Sequence, residues 1–481
     1  MIKTLIFIFV LFVSGANAAT FVVNKTADTN DGICDGDCSL REAVGAANSV
    51  ATNDTIVFSI PDSQCPNKIC NLPINSSFGH ISATNNGELT IQGKGSMWTV
   101  LSGGVGILQN SGNTNFVVND LRITGAVNGN SGSVGAGFYN DGTATLNRVL
   151  LDNNRAGSCH GIYSLGNLTI NDSAIYGNFG ISHGGGICTG GASTTNIINS
   201  SVNGNNSQNG MGGGIFNSAT LNLTNSTVSG NNAGTYGGAV TNTGIVNLNN
   251  STVADNVAGG AGGLWHFDSG GSRIIRSRNS IYFNAQFLAG YGSDIDNQWL
   301  GTVTTLTNNF VSIGTFSGLI NGANGDAVGT IAAPIVPILS PIGRYGGNSF
   351  SQIPLSSSPL LETGNNCVMT LTCASDNPAA AITTDQRGAI RTGNVDVGAV
   401  ENDPSYVAVL PSAFLDVPYD LTLVPNTGTF TYSLQSGSVP TGMSFTNAFA
   451  GFSSEKMLSP QAMVGLSGTP TVGGTDRKSV V

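Results

Sequence analysis

Three sets of residues in this chain have types and spacings that chemistry needs. The first is acidic. Hydrolysis of a glycosidic bond takes two carboxyl groups about 5 to 9.5 Å apart. Asp152 with Asp172, Asp255 with Asp268, and Asp294 with Asp296 are the pairs that neighbouring segments could supply. Asp294 and Asp296 are the best of these, because residues two apart share a face of an extended strand. None of the pairs recurs as a motif. Asp172 stands where sister segments carry Asn225 and Asn250, which reads as a turn position. The second set is basic. A polysaccharide lyase needs carboxylates to hold calcium and a base to take the proton. Arg273, Arg276 and Arg278 are the one basic cluster. Arg276 and Arg278 should share a strand face, and the plain alternative is a solvated outer face. The third set is His160 and His183, each followed by glycine and 23 residues apart. They fit a metal pair on adjacent turns, or ordinary polar stacking in one turn line.

The elements that must position these groups are repeats. Six units open on glycine and a short apolar step: Gly137-Phe-Tyr-Asn, Gly161-Ile-Tyr-Ser, Gly186-Ile-Cys-Thr, Gly214-Ile-Phe-Asn, Gly238-Ala-Val-Thr and Gly263-Leu-Trp-His. Their spacings are 24, 25, 28, 24 and 25 residues. A second and a third apolar step follow, as in Leu221-Asn-Leu223 and Ser226-Thr-Val228, and each unit closes on an asparagine: Asn153, Asn178, Asn205, Asn231, Asn256, Asn284. A fixed period of this length marks a repeat architecture. The apolar alternation has the strand period of two. Glycine and asparagine between the steps suit turns with positive φ. Three short strands and three turns make one coil of a right-handed parallel β-helix, a pectin-lyase-like solenoid of about 25 residues per coil. Each coil buries a row it cannot bury alone, so coils must stack. Asparagines recurring once per coil could form a side-chain hydrogen-bonded ladder. The glycine runs are not phosphate loops, since no Gly-Lys-Ser/Thr follows them. The calcium nonapeptide of other β-helices is absent as well.

Composition agrees with a solenoid. Of 481 residues 67 are glycine, and only 9% are charged, against about 25% in ordinary soluble domains. Hydrophobic residues make up 40% and are periodic, which makes disorder a poor alternative. The net charge of −10 argues against nucleic acid and anionic membranes as partners. Residues 1–18 read as a signal peptide: Lys3, an apolar core from Leu5 to Val13, and Ala16-Asn17-Ala18 before the cut. No later stretch is long and apolar enough for a transmembrane helix. Eight cysteines in an exported chain suggest disulfides. Cys34 with Cys38, Cys65 with Cys70, and Cys367 with Cys373 are close pairs, and Cys159 and Cys188 lie one coil apart, placed to staple two coils. Zinc is the competing reading, but no cluster has nearby histidines at the usual spacing.

Ser39 followed by Glu42 has the capping-box spacing and predicts a short helix over 40–48, lying as a cap over the open first coil. Cys38-Ser-Leu-Arg-Glu-Ala43, with Ala47-Asn48 and Asp54-Thr-Ile-Val-Phe58, resembles the CSLREA domain, a short N-terminal module of exported bacterial proteins with β-helical bodies. The resemblance implies an address more than a chemistry, and Arg41 and Glu42 read as intramolecular anchors of the cap. Gly212-Gly-Gly-Ile-Phe216 and Asn225-Ser-Thr-Val-Ser-Gly-Asn231 resemble the repeats of chlamydial-type polymorphic outer membrane proteins, which are tied to adhesion. Thr384-Asp-Gln-Arg-Gly388 through Glu401 resembles the end of the choice-of-anchor Q region. Its charges, Asp385, Arg387, Arg391, Asp396 and Glu401, suggest a salt-bridged closure of the last coils, or else a metal or substrate site. Tyr432 to Phe445 and Gly465 to Thr471 resemble a bacterial immunoglobulin-like module, incomplete at about 70 residues. Asp476-Arg-Lys-Ser-Val-Val481 reads as a non-native tail encoded by a sequencing adapter.

The expected organisation is therefore a signal peptide (1–18), a cap with the first coils (19–105), β-helix repeats (106–330), an anchor-type end (331–403), an incomplete immunoglobulin-like module (404–475) and the tail (476–481). The expected role is a non-enzymatic stalk or adhesin of the bacterial surface, binding a glycan, matrix or host-cell ligand, without a cofactor. A polysaccharide lyase or hydrolase is the runner-up, with Asp294, Asp296, Arg276 and Arg278 as candidates. A calcium-dependent structural protein is the third reading. A flat face of Asn, Ser and Thr would favour the binder. An acid pair flanked by a basic residue in one groove would favour the enzyme.

Overall fold

The computed structural model describes residues 17–402 apart from 85–86, 113–114, 129–133, 268–273, 287–292, 300–301 and 375, and only short strands beyond 402. It is a parallel β-solenoid of about eight turns, with turns of about 27 residues. Three parallel sheets run its length. Sheet A has eleven strands, from Thr20–Val23 to Thr302–Thr307. Sheet B has nine, from Ile81–Ala83 to Ile295–Trp299. Sheet C carries the third strand of each turn, from Cys70–Pro73 to Ala327–Val328.

The core follows from alternation within these strands. In sheet A, Ile56, Ile91, Val118, Leu146, Ile170, Ile197, Leu223 and Leu248 stand in register as one inward column. Leu108, Phe138, Ile162, Ile187, Ile215, Val240 and Leu264 form the matching column in sheet B. All of these side chains are buried, and each contributes about 1.5 to 3 kcal/mol relative to exposure. The sheet A column ends at Ser277, whose hydroxyl bonds Tyr282 Oη (2.7 Å) and Asn309 Oδ1 (2.7 Å).

The asparagine ladder is real, but it opens at Asn154, not Asn153. Asn154 Nδ2 donates to Asn178 Oδ1 (3.0 Å), Asn178 to Asn205 (2.9 Å), Asn205 to Asn231 (3.0 Å), Asn231 to Asn256 (2.8 Å) and Asn256 to Asn284 (2.8 Å). Each Oδ1 also accepts the backbone N–H of the preceding member, as Asn178 N does to Asn205 (2.9 Å). Asn153 instead holds φ 53°, in line with Gly177, Gly204 and Gly230. The repeat glycines have a different reason from the one their turns suggested. Gly186 is not at positive φ; a Cβ there would lie 2.8 Å from Gly214 O and 3.0 Å from Asn205 Nδ2. The ladder amide packs against that bare Cα. The unit written Gly238-Ala-Val-Thr is also one residue out of register, because Asn217 pairs with Asn242.

Helix α1 (Leu40–Asn48) forms where the capping box predicted it. Ser39 Oγ accepts from Glu42 N (3.2 Å), and Glu42 accepts from Ser39 N (2.7 Å). Its face of Leu40, Ala43, Val44 and Ala47 is buried against the first strands of sheets A and B. Arg41 and Glu42 are anchors, each with its own partners. Arg41 clasps Asp28 (2.8 and 2.9 Å) and the carbonyls of Gly79 and His80 (both 2.9 Å). Glu42 also accepts from Thr29 Oγ1 (2.8 Å) and lies 3.6 Å from Lys25.

Strand stacking ends at Ala327–Val328, and residues 335–402 add no further coil. They return along the outside as a strap. Ser349 Oγ bonds Asn199 O (2.8 Å), Phe350 N bonds Ser201 Oγ (3.1 Å), and Gln386 bonds Thr227 Oγ1 (2.6 Å) and Ser200 O (3.2 Å). Ala399 N reaches Thr252 Oγ1 (3.1 Å), and Gly398 N reaches Asn279 O (2.8 Å). The strap therefore covers the outer face of sheet C and its corner with sheet A. Beyond 402 the described part is two small antiparallel sheets, one of them joining Tyr419–Leu423, Met463–Gly468 and Met443–Ala448. The remainder of the expected immunoglobulin-like module, the tail apart from Ser479–Val480, and residues 1–16 of the signal peptide lie outside the described residues.

Candidate functional site

A cleft of about 470 Å³ opens where the strap meets the corner between sheets A and C. One wall is the turn line that follows each sheet A strand. Asp120, Arg148, Asp172, Asn199, Asn225 and Asn250 occupy this line on successive turns, with φ between 46° and 55°. Asp and Asn tolerate that backbone because their short side chains hydrogen-bond locally. Asp172 is thus a turn residue as its sisters indicated, and it also lines the cleft. The second wall is the loop Lys94-Gly95-Ser96-Met97-Trp98. Gly95 has φ +131°, and a Cβ there would lie 2.7 Å from Trp98 Cδ1, so the indole rests against a bare backbone. The third wall is the strap, with Arg344, Gly346, Gly347, Asn348 and Arg387.

Charges in the cleft are unevenly satisfied. Arg148 grips Asp120 with two hydrogen bonds (2.6 and 2.7 Å). Burial opposes ionisation of Asp120, but the bonds from Arg148 and Gln92 outweigh it and hold its pKa below the usual value. Burial pushes the Asp172 carboxyl up, and Asn199 and Arg148 offset this only in part. Arg387 is bound to Asp385 (2.8 Å) and to Glu401 O (2.7 Å). The Arg344 guanidinium stacks over the Phe350 ring at 4.8 Å, and burial pushes its pKa down. Phe350 in turn stacks on Tyr176 at 5.5 Å, so the strap carries Arg344 on a packed aromatic base.

The acidic and basic candidates are not brought together. Asp294 continues the asparagine ladder: its Oδ1 accepts from Asn284 N (2.6 Å) and Nδ2 (3.2 Å), and its Oδ2 from Ile313 N (2.7 Å). It is buried, and burial pushes its pKa up to about 7 despite these bonds. Asp296 is buried too, in the last strand of sheet B. Arg276 and Arg278 lie on sheet A and do share its outer face; Arg278 is buried there, while Arg276 is half-buried and keeps part of its side chain in solvent. Arg276 pairs with Asp376 (3.3 Å), while Arg278 donates to Asp376 O (3.1 Å) and Asn249 Oδ1 (3.2 Å). Burial lowers the Arg278 pKa. Asp152 is occupied by Arg122 (2.7 and 2.5 Å), and Asp255 accepts from Gln352 (2.8 Å). Asp268 and Arg273 lie outside the described residues.

His160 and His183 are one residue out of line: His160 N bonds Gly184 O, whereas His183 O accepts from Cys159 N. His160 is buried and its pKa is pushed down to about 4 by that burial. His183 stacks on Phe216 at 5.1 Å and accepts from Met211 N (3.2 Å). Among the described residues no three His, Cys, Asp or Glu side chains converge as metal ligands would. The cysteines pair as their spacing indicated: Cys34–Cys38, Cys65–Cys70, Cys159–Cys188 and Cys367–Cys373. Cys159–Cys188 joins two adjacent turns.

The C-terminal charges form a salt-bridged knot, as one sequence reading had it, but the knot clamps the strap to earlier turns instead of closing the last ones. Arg391 pairs with Glu401 and donates to Asn225 Oδ1 (2.9 Å). Asp385 accepts from Arg387, Ala389 N (3.0 Å) and Glu401 N (3.1 Å). Asp396 accepts from Glu362 N (2.7 Å) and Asn402 N (2.6 Å).

No family model, no curated protein and no solved structure matches the chain. Among the described residues, no helix is long and apolar enough to cross a membrane.

Proposed function

We propose that this chain is an exported bacterial surface protein whose solenoid is a non-enzymatic stalk for binding and display, with a glycan as ligand. The observation that carries the reading is the outer face of sheet A. Thr145, Thr169, Asn196, Asn222 and Asn247 stand there in register on five successive turns. Asn222 donates to Asn196 (2.8 Å) and Asn247 to Asn222 (2.7 Å). This row of amides and hydroxyls, which Arg276 continues on the next turn with a hydrogen bond to Asn247 (3.4 Å), suits recognition of a polymer rich in hydroxyls. The CSLREA, choice-of-anchor Q, polymorphic-repeat and immunoglobulin-like resemblances support an exported surface address, and four disulfides suit an oxidising compartment.

A second reading has one observation in its favour. Asp120 and Asp172 line one cleft with Arg148 on the turn between them. Two strand spacings separate their turns, about 10 Å. A carboxyl whose pKa is pushed up by burial beside one held down by its hydrogen bonds is the kind of contrast a glycoside hydrolase uses. Against it, both oxygens of Asp120 are held by Arg148. Incubating the mature chain with a polysaccharide panel, while following reducing ends and retention together, separates the two. Retention without new ends supports the stalk, and turnover lost in Asp172→Asn supports the enzyme.

A further inference from the structure

We propose that the strap cleft takes an anionic group borne on a sugar ring, a carboxylate or a sulfate ester, with Arg344 and Lys94 as its counter-charges and Trp98 as the face for the ring. This rests on the glycan-binding reading and names the class of sugar.

The chain has only 17 Lys and Arg residues in 481. Four of the sixteen residues lining this cleft are among them: Lys94, Arg148, Arg344 and Arg387. In a protein of net charge −10, that concentration is local and not a property of the surface at large. Arg148 and Arg387 are neutralised by Asp120 and Asp385. Arg344 makes no ion pair within 4.0 Å among the described residues; the charge it feels is Asp152, which Arg122 already clasps, and its planar group is pinned to Phe350. A guanidinium fixed this way loses little freedom on meeting a bidentate oxyanion. Lys94, on the opposite wall, is exposed and supplies a movable second cation. Trp98 stands four residues along the same loop, which places an apolar ring face beside the charges. Aromatic faces and sugar rings associate because both bury apolar surface while leaving hydroxyls wet.

The test uses the mature chain, its Arg344→Gln and Lys94→Gln variants, and three polymers: a neutral glucan, a uronic-acid polymer and a sulfated glycan. Wild type should bind at least one anionic polymer about tenfold more tightly than the neutral one, with affinity falling as salt rises. Each variant should lose most of that preference, its affinity for the anionic polymer falling toward that for the neutral one. The preferred polymer then tells carboxylate from sulfate. Equal affinity for all three polymers in wild type overturns this inference and leaves the stalk reading standing. Retention of none overturns the stalk reading itself. Lys94 is exposed, so its variant reports even if Arg344→Gln fails to fold.

Discussion

Asn205→Ala should be among the most damaging single substitutions in the solenoid. Asn205 is fully buried in the middle of the ladder. Its Oδ1 accepts from Asn178 N (2.9 Å) and Asn178 Nδ2 (2.9 Å), and its Nδ2 donates to Ile175 O (3.0 Å) and Asn231 Oδ1 (3.0 Å). Alanine takes a partner from three groups: the Asn178 N–H, the Asn178 amide, which keeps only Leu151 O (3.2 Å), and the Ile175 carbonyl. Asn231 Oδ1 keeps the Asn205 backbone N–H (2.9 Å). Each buried group left unpaired costs about 1 to 3 kcal/mol, and a water entering the gap would recover part of this. The net expectation is a loss of about 3 to 5 kcal/mol. The control is Asn222→Ala on the outer ladder. Its hydrogen bonds to Asn196 and Asn247 have the same chemistry, but water can replace them, so its cost should stay below about 1 kcal/mol. Urea unfolding of both variants, followed by circular dichroism, measures the difference. Because repeat arrays unfold by nearest-neighbour steps, the midpoint should be read in a shortened melting segment as well as globally. Equal shifts for the two variants would refute the argument that burial of the ladder, and not the amide bond itself, sets the cost.

Other expectations follow from the same geometry. The Asp294 carboxyl, pushed up to about 7, stays protonated in the folded chain where the unfolded chain has released its proton. Its contribution to stability is therefore complete below about pH 4 and lost as pH rises through 7; melting temperature against pH should show that slope weakened in Asp294→Ala. Replacing Cys159 and Cys188 by serine opens a 29-residue separation and should cost about 3 to 4 kcal/mol, against about 2 for the four-residue Cys34–Cys38 loop, as read by chemical unfolding. Arg391→Ala leaves buried Glu401 without its counter-charge and leaves Asn225 tied to the strap only through Thr384 O (2.7 Å), so limited proteolysis should cut the strap between 335 and 402 while the coils stay intact. An uncut strap would show that the knot does not hold it down.

The coils were legible because their causes are local. Alternation, glycine and asparagine repeat inside each window of about 25 residues, and a capping box needs only Ser39 and Glu42. Disulfides were legible for the same reason, three of the four spanning six residues or fewer. The ladder register was misplaced by one because Asn153 and Asn154 are adjacent and identical in type. One turns the chain and the other bonds its neighbours, a distinction made by backbone φ alone. The strap was illegible because it has no period and its contacts are remote: Gln386 and Ser200 are 186 residues apart. The cleft inherits that difficulty, since Trp98 and Arg344 come to line one cleft only through the strap. Its sole local sign was Lys94-Gly95-Ser96-Met97-Trp98, a loop unlike any repeat turn and holding one of three tryptophans. The spacing of Asp294 and Asp296 could not show that both are buried, nor that the strand begins only at Ile295, with Asp294 just ahead of it.

The central claim is that this solenoid binds a polymer without cleaving it. The most direct measurement is retention of the purified mature chain on immobilised polysaccharides, with the eluate assayed for new reducing or unsaturated ends. Retention on at least one polymer, with no new ends, is the expected result. New ends on any polymer, or passage through all of them, would contradict it.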